Sequence, residues 1–266
     1  AGDRYVNLGA SPVKTAVASA FADRLAVSRE VLECDVLVSL PKMKTHVATG
    51  ITGAIKNTYG HLVGGEKTRL HREAQGPLAF ARAVLDVYQV RPPDLVVMDA
   101  VTAMEGQGPS GGRPRDVGRV LASTDAVALD TVVAAMMGLE PRTVPMLKEA
   151  ADRGLGSADL EQIEIDGPFE VVPDFKTPGI GQGFGTWISR LATYVFVTRP
   201  EVRYGQCVKC GSCVQACPVE AIAMTEAGPV IDYTTCIRCF CCHEMCRYGA
   251  MDLSRRMRLL QGLGRR

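Results

Sequence analysis

Nine of the ten cysteines of this 266-residue chain fall between Cys207 and Cys246, and only Cys34 precedes them. Such clustering marks a small module placed after a larger domain. The strings are CVKCGSCVQACP, with Cys207, Cys210, Cys213 and Cys217, and CIRCFCCHEMC, with Cys236, Cys239, Cys242 and Cys246. Each reads C-x2-C-x2-C-x3-C, and the first is followed by Pro218. A disulfide framework does not require two copies of one tight spacing. The opening AGDRYVNLGA, without an initiator Met, also lacks the basic leader and apolar stretch of a secreted chain. Zinc sites usually pair two short C-x2-C knuckles, whereas three cysteines at intervals of three each hold one corner of a cubane. The spacing therefore predicts iron–sulfur ligation in a reducing compartment, and a cytoplasmic protein is expected.

From Tyr204 to Leu253 the chain resembles the bacterial-type two-cluster ferredoxins. In that arrangement the fourth Cys of each run ligates the other cluster. The resemblance thus implies two [4Fe–4S] clusters, one on Cys207, Cys210, Cys213 and Cys246, the other on Cys236, Cys239, Cys242 and Cys217. Two short alternating segments around Glu226-Ala227-Gly228 form a hairpin between the runs. Arg247 stands where a second Pro is expected, and Cys241 is an extra thiol, read as non-ligating. His243 reads as a polar neighbour of the cluster or a surface residue, since the Cys set is already complete.

The rest of the chain alternates strand and helix. Asp35–Leu40 is a short apolar run closed by Pro41, and Leu95–Asp99 repeats the pattern. Between them PLAFARAVLDVYQV sets Leu78, Ala81, Leu85 and Tyr88 at helical spacing before Pro92-Pro93, a strand–helix–strand crossover. Arg119–Ala122 is a third strand, followed by a helix capped at Ser123 or Thr124 and ending at Gly138. A further helix ends at Gly154, and Gln162–Asp166 is a further strand. The expected fold is α/β, a largely parallel sheet covered by helices, followed by a small α+β two-cluster ferredoxin-like domain. The domains are expected at 1–172, 204–253 and a basic tail at 254–266, with a linker and packing segment at 173–203. The nearly apolar stretch Thr186–Thr198 is interrupted by Arg190 and is shorter than the ~20 residues of a membrane span. A net charge of +1 points to no nucleic-acid partner. The arginines at 255, 256, 258, 265 and 266 could steer an acidic redox partner protein.

Ligands of open parallel sheets bind beyond the carboxyl ends of the strands. After the first strand, PKMKTH sets Lys42, Lys44 and His46 on one side of an extended segment. TGITGAIKN then opens a helix rich in small residues, with Lys56 and Asn57 one turn on. These five residues are expected to form a pocket for a small anionic ligand. Asp99 and Glu105 follow the second strand, Glu105 within a glycine-rich segment read as a lid. Lys44, His46, Asp99 and Glu105 are the catalytic candidates, although Asp99 and Glu105 also suit salt bridges to Lys42 and Lys44. Asp125 and Asp130 are read as structural, Asp125 at a helix N-terminus.

A second resemblance rests on LECDVLVSLPKMKTHVATGITGAIKNTYG, DLVVMDAVTAMEGQGPSGG and LASTDAVALDTVVAAMMGL. Over Val31–Gly167 the chain resembles the DUF362 family, which is often joined to a C-terminal ferredoxin module. Members usually carry a further N-terminal portion with a Lys-Pro-Asn type motif, which is not found here. The family brings no established reaction. The sequence thus leaves open an iron–sulfur oxidoreductase, passing low-potential electrons to a reaction or anionic ligand on the α/β domain, and a carrier or reductive activator that docks on another protein.

Overall fold

The structure, a computed structural model, describes residues 5–178 and 196–257. Its first domain is built on a mixed sheet. Strand β1 (Pro12–Ala16) pairs antiparallel with β2 (Arg24–Ser28) as a separate ribbon, followed by the short helix α1 (Arg29–Glu33). The main sheet begins with β3 (Val38–Ser39) and β4 (Lys42–His46), both parallel to β6 (Leu95–Gln107) on one of its sides. Strand β5 (Gly50–Thr52) adds antiparallel to β4, and β7 (Gly111–Ser123) lies antiparallel along the other side of β6. The α/β architecture and the parallel crossover are as expected, with the parallel pairings confined to β3 and β4 against β6. The Arg119–Ala122 strand is the far end of β7. Glu105 and its glycines lie in the long β6–β7 hairpin rather than in a loose lid.

Helices α2 (Ala54–Asn57), α3 (Glu66–Glu73) and α4 (Pro77–Val90) make the crossover to β6. Pro77 occupies the first turn of α4, where its missing N–H costs nothing. Phe80, Ala81, Val84, Leu85 and Tyr88 form its buried stripe, and Leu78 lies outside it, exposed. Helix α5 (Ala126–Met136) is capped by Asp125, whose carboxylate accepts from the Val127 and Ala128 amides at 2.8 and 3.0 Å. Asp125 supersedes Ser123 and Thr124 as the cap because a carboxylate also meets the positive helix end. Helix α6 (Pro145–Asp152) ends before Gly154, which takes a φ of +69°. Residues Gln162–Asp166 form no strand: a single 3-10 turn at Leu160–Gln162 is followed by irregular chain.

One core joins Met43, Ile51, Ile55, Val84, Leu85, Val96, Met98, Val133 and Leu147 between the sheet and α2, α4, α5 and α6. On the other face of the sheet Val38, Leu40, Val101 and Val120 are exposed among the described residues. The helical cover is therefore one-sided there.

The cysteine module is closed by β8 (Phe196–Val202) pairing antiparallel with β11 (Met251–Met257), and contains the hairpin β9 (Ile222–Thr225) and β10 (Gly228–Ile231). That hairpin turns at Glu226-Ala227, as expected. Most of the Thr186–Thr198 stretch and the side chains of the basic tail lie outside the described residues. No helix is long and apolar enough to cross a membrane among the described residues.

Candidate iron–sulfur and interdomain site

The two cysteine runs fold alike. Lys209 and Gly211 in the first, and Arg238 and Phe240 in the second, all have positive φ, between 56° and 78°. Each run then enters one turn of helix, Ser212–Gln215 or Cys241–Glu244. Three residues past each final Cys, Glu220 and Gly249 again have positive φ. The left-handed turns at Lys209, Arg238 and Phe240 each cost roughly 1 kcal/mol, and they bend the chain around a centre.

Two cavities result. Cys207, Cys210, Cys213 and Cys246 line the first, and Cys217, Cys236, Cys239 and Cys242 line the second. Each combines three cysteines of one run with the fourth of the other. The runs interlock through the pairing of their helices and a shared packing of Cys213, Cys242, Ile222, Ile231 and Met251. The Ala221 amide donates to Cys217 Sγ and the Ala250 amide to Cys246 Sγ, both at 3.2 Å. Burial, then the neighbouring Cys239, Cys236 and Cys217, push the Cys242 thiol well up. Four thiolates crowded in an apolar cavity are compatible only with positive metal among them. The donor set thus suits [4Fe–4S] groups. Among the described residues no three His, Cys, Asp or Glu converge as a single metal ion requires.

Cys241 occupies the place of Ser212 in the first run. Ser212 Oγ lies 3.4 Å from Cys210 Sγ, and Cys241 makes the matching thiol contact to Cys239. That contact, with burial second, holds the Cys241 proton tightly, so it stands as a donor to a neighbouring sulfur.

The second cavity faces the α/β domain. The tip of the β6–β7 hairpin reaches the cysteine module, where Ser110 Oγ donates to the Glu244 carbonyl at 2.9 Å. Glycine is required along this tip: a Cβ on Gly108 would lie 2.0 Å from the Thr45 carbonyl oxygen, and one on Gly111 2.8 Å from His243 Nε2. His243 is accordingly buried beneath the hairpin.

The sequence-predicted pocket residues divide. Lys42 turns outward and its ammonium donates to Asp99 at 2.7 Å, and Asn57 donates to Ser39 Oγ at 2.9 Å, both near solvent. Against β6, Lys42 pairs with Asp99 but Lys44 with Met104, so β6 bulges and the end of β4 leaves the exposed part of the sheet. His46 is 1% exposed and its Nε2 lies 2.9 Å from Glu244 Oε1, close but not collinear. Its Nδ1 accepts from the Ala48 amide at 3.1 Å, which puts the ring proton on Nε2 and makes the imidazole neutral. Burial lowers its pKa in the same sense, against the pull of Glu244.

Lys56 is buried with its ammonium 4.8 Å from the centre of the Tyr59 ring and 5.3 Å from that of Phe80. Burial would raise the Glu244 carboxyl, but His46 and then Lys56 outweigh it and bring it to about 2. Lys44, half-buried nearby, makes no ion pair among the described residues. The start of α2 is likewise met from within: Asp130, fully buried, accepts from the Ala54 and Ile55 amides at 2.6 and 3.0 Å. Burial pushes its pKa up to about 7. Glu105 accepts from the Lys176 amide at 3.1 Å, apart from Asp99. The sequence did not single out Glu244. The signal was available, because aligning the runs on their last two cysteines sets Glu244 against uncharged Gln215.

A further cavity, of about 80 Å³, lies at this junction. It is lined from the α/β side by Val47, Ala48, His71, Gln75 and Phe80, and from the cysteine module by Ile237, Arg238, Cys239 and Phe240. Ile237, Cys239 and Phe240 also line the second four-cysteine cavity, so the two share a wall.

Comparison with known proteins matches this division. Residues 200–223 match a 4Fe-4S binding domain, which makes this an iron–sulfur protein of the electron-transfer type; the match covers the first cysteine run. A thylakoid-associated protein of Synechocystis sp. is 34% identical over 161 residues, 59% of this chain and 50% of the relative. The chain thus spans about half the length of that relative. Residues 2–135 match the domain of unknown function DUF362, about half of the chain, with the crossover, the β6–β7 hairpin and most of α5 inside the match, and the chain therefore belongs to the DUF362 family.

Proposed function

We propose that the chain holds two [4Fe–4S] clusters and uses them to pass low-potential electrons to a reaction or ligand held against the α/β domain. Cys207, Cys210, Cys213 and Cys246 would hold the first, and Cys236, Cys239, Cys242 and Cys217 the second. The observation that carries this reading is the second four-cysteine cavity, walled by the residues that also face the α/β domain. Such clusters supply one-electron transfer, across a range of roughly −700 to +450 mV for iron–sulfur centres. The chain's own part is positional. Glu244, His46, Lys56 and the hairpin tip fix the second cavity against the sheet's end, and amide donors to Cys217 and Cys246 tune the sulfurs.

Lys42, Lys44, His46, Lys56 and Asn57 remain the candidate residues for an anion, but Glu244 and Asp99 already answer much of their charge. An anionic ligand would have to displace Glu244. Of the catalytic candidates Lys44, His46, Asp99 and Glu105, Lys44 is the one with charge to spare. A second reading, a carrier or reductive activator docking on another protein, is favoured by the first cavity, where Cys210, Val208 and Tyr248 are exposed. A redox partner protein would approach there. The clustered cysteines favour a reducing compartment such as the cytoplasm; a thylakoid association, as in the relative's name, is the competing location.

The test is anaerobic purification with iron and sulfide assays, where about eight of each are expected. Zinc without sulfide would refute the reading. Cys246→Ser and Cys217→Ser should each remove a different cluster.

A further inference from the structure

Resting on the two-cluster reading, we infer that Ser212 and Cys241 set unequal reduction potentials for the two clusters, the first higher and the second, beside the α/β domain, lower. The two runs match position by position in most of what they offer a cluster. Lys209 and Arg238 turn with φ of 56° and 57°, and Gly211 and Phe240 with 78° and 63°. The Ala221 amide donates to Cys217, assigned to the second cluster, and the Ala250 amide to Cys246, assigned to the first, both at 3.2 Å. The Ser212 and Cys241 amides meet Cys210 and Cys239 alike. These backbone donors therefore favour neither cluster.

The side chain that follows these turns differs. Ser212 Oγ lies 3.4 Å from Cys210 Sγ, whereas the same place in the second run holds the Cys241 thiol, against Cys239. A ligating cysteine is a thiolate with no proton to give, so the hydroxyl and the Cys241 thiol are the donors. One-electron reduction adds negative charge that is shared by the ligand sulfurs, and a donor aimed at a sulfur holds the reduced form more strongly than the oxidised. A hydroxyl donates well and a thiol weakly. Burial acts in the same sense: Cys210 is exposed, Cys239 half-buried and Cys242 buried, and a buried site resists added charge. Lys56, buried near the second run, acts the opposite way, but the Glu244 carboxylate beside it offsets its charge. An electron taken up by the protein therefore rests on the exposed cluster, and its passage to the junction is uphill.

Reductive titration of the anaerobically purified protein with dithionite, followed by the electron paramagnetic resonance of the reduced clusters, tests this, with iron and sulfide assayed on the same samples. The native protein should show two one-electron couples whose reduction constants differ by at least threefold, ~28 mV. Cys241→Ser should raise the lower couple alone by at least threefold, and Cys241→Ala should not raise it. Ser212→Ala should lower the upper couple alone by at least threefold. A single couple in native protein with its full iron overturns the inference and leaves the two-cluster reading standing. So does a Cys241→Ser or Ser212→Ala shift that is smaller, opposite in sign or on the other couple. Cys241→Ala raising the lower couple as Cys241→Ser does overturns the donor role. Loss of iron from Cys241→Ser makes Cys241 a ligand, which also overturns it. A folded native protein without iron and sulfide overturns the two-cluster reading, and this inference with it.

Discussion

Glu244→Gln keeps the shape of the side chain that ties the cysteine module to the sheet and removes its charge. In the native protein the neutral His46 holds its Nε2 2.9 Å from the carboxylate without a collinear hydrogen bond, and Lys56 supplies the balancing cation from its cage of Tyr59 and Phe80. Exchanging a charged acceptor for a neutral one loses about 1 kcal/mol. Leaving Lys56 buried without its counter-charge costs a further 3–5 kcal/mol in a dry site, of which the two rings return roughly 2. The expected net loss is therefore ~3 kcal/mol, all of it at the junction. Hydrogen exchange of segments 43–48 and 240–246 in iron-replete protein reads this as a local opening, which should become about a hundredfold more frequent. Lys56→Met should cost less than Glu244→Gln, because Glu244 keeps His46. The double variant should cost clearly less than the sum. Exchange faster by under about threefold, or strictly additive effects, would refute the assignment of the charge pair.

Four further outcomes are expected. Cys241→Ser should leave iron and sulfide unchanged, since Ser212 already plays the equivalent part in the first run; loss of a cluster would make Cys241 a ligand. Asp130→Ala should destabilise the α/β domain by about 3 kcal/mol, measured by denaturant unfolding, because two buried amides at the start of α2 lose their acceptor. Gly53→Ala should do comparable damage, its Cβ falling 2.0 Å from Asp130 Oδ1; a change below about 0.5 kcal/mol would mean the loop has room to move. His61 and His71 are both held neutral by burial, with pKa values of about 4. The unfolded chain takes up those protons below about 6.5, so stability is full above that pH and falls as pH drops toward 4, by roughly 3 kcal/mol for each. Unfolding midpoints followed across that window should show the loss, and His61→Asn should remove only its own share, roughly 3 kcal/mol, because the buried His46, His71 and His243 are shifted in the same sense.

What the sequence alone determined was whatever depends on spacing along the chain. The two C-x2-C-x2-C-x3-C runs imply a wrapped iron–sulfur loop because each ligand is set by its distance from the last. The α4 stripe and the β9–β10 turn are legible for the same reason: 3.6-residue and two-residue periods are local. The period-two direction of Lys42, Lys44 and His46 likewise reads locally as three donors on one side, but the fold separates them, Lys42 at solvent and His46 buried. Only the tertiary structure decided where the anions come from. Glu244 lies almost two hundred residues beyond His46 in sequence, and Asp130 reaches the start of α2 from the next layer of helices. Across the bulge in β6 Lys42 stays at solvent and His46 turns inward, and no local pattern in the sequence marks it. Burial of a charge depends on which surfaces close over it, so His46 and Lys56 read from sequence as part of a vacant pocket and in the fold as part of a junction closed by the chain's own Glu244.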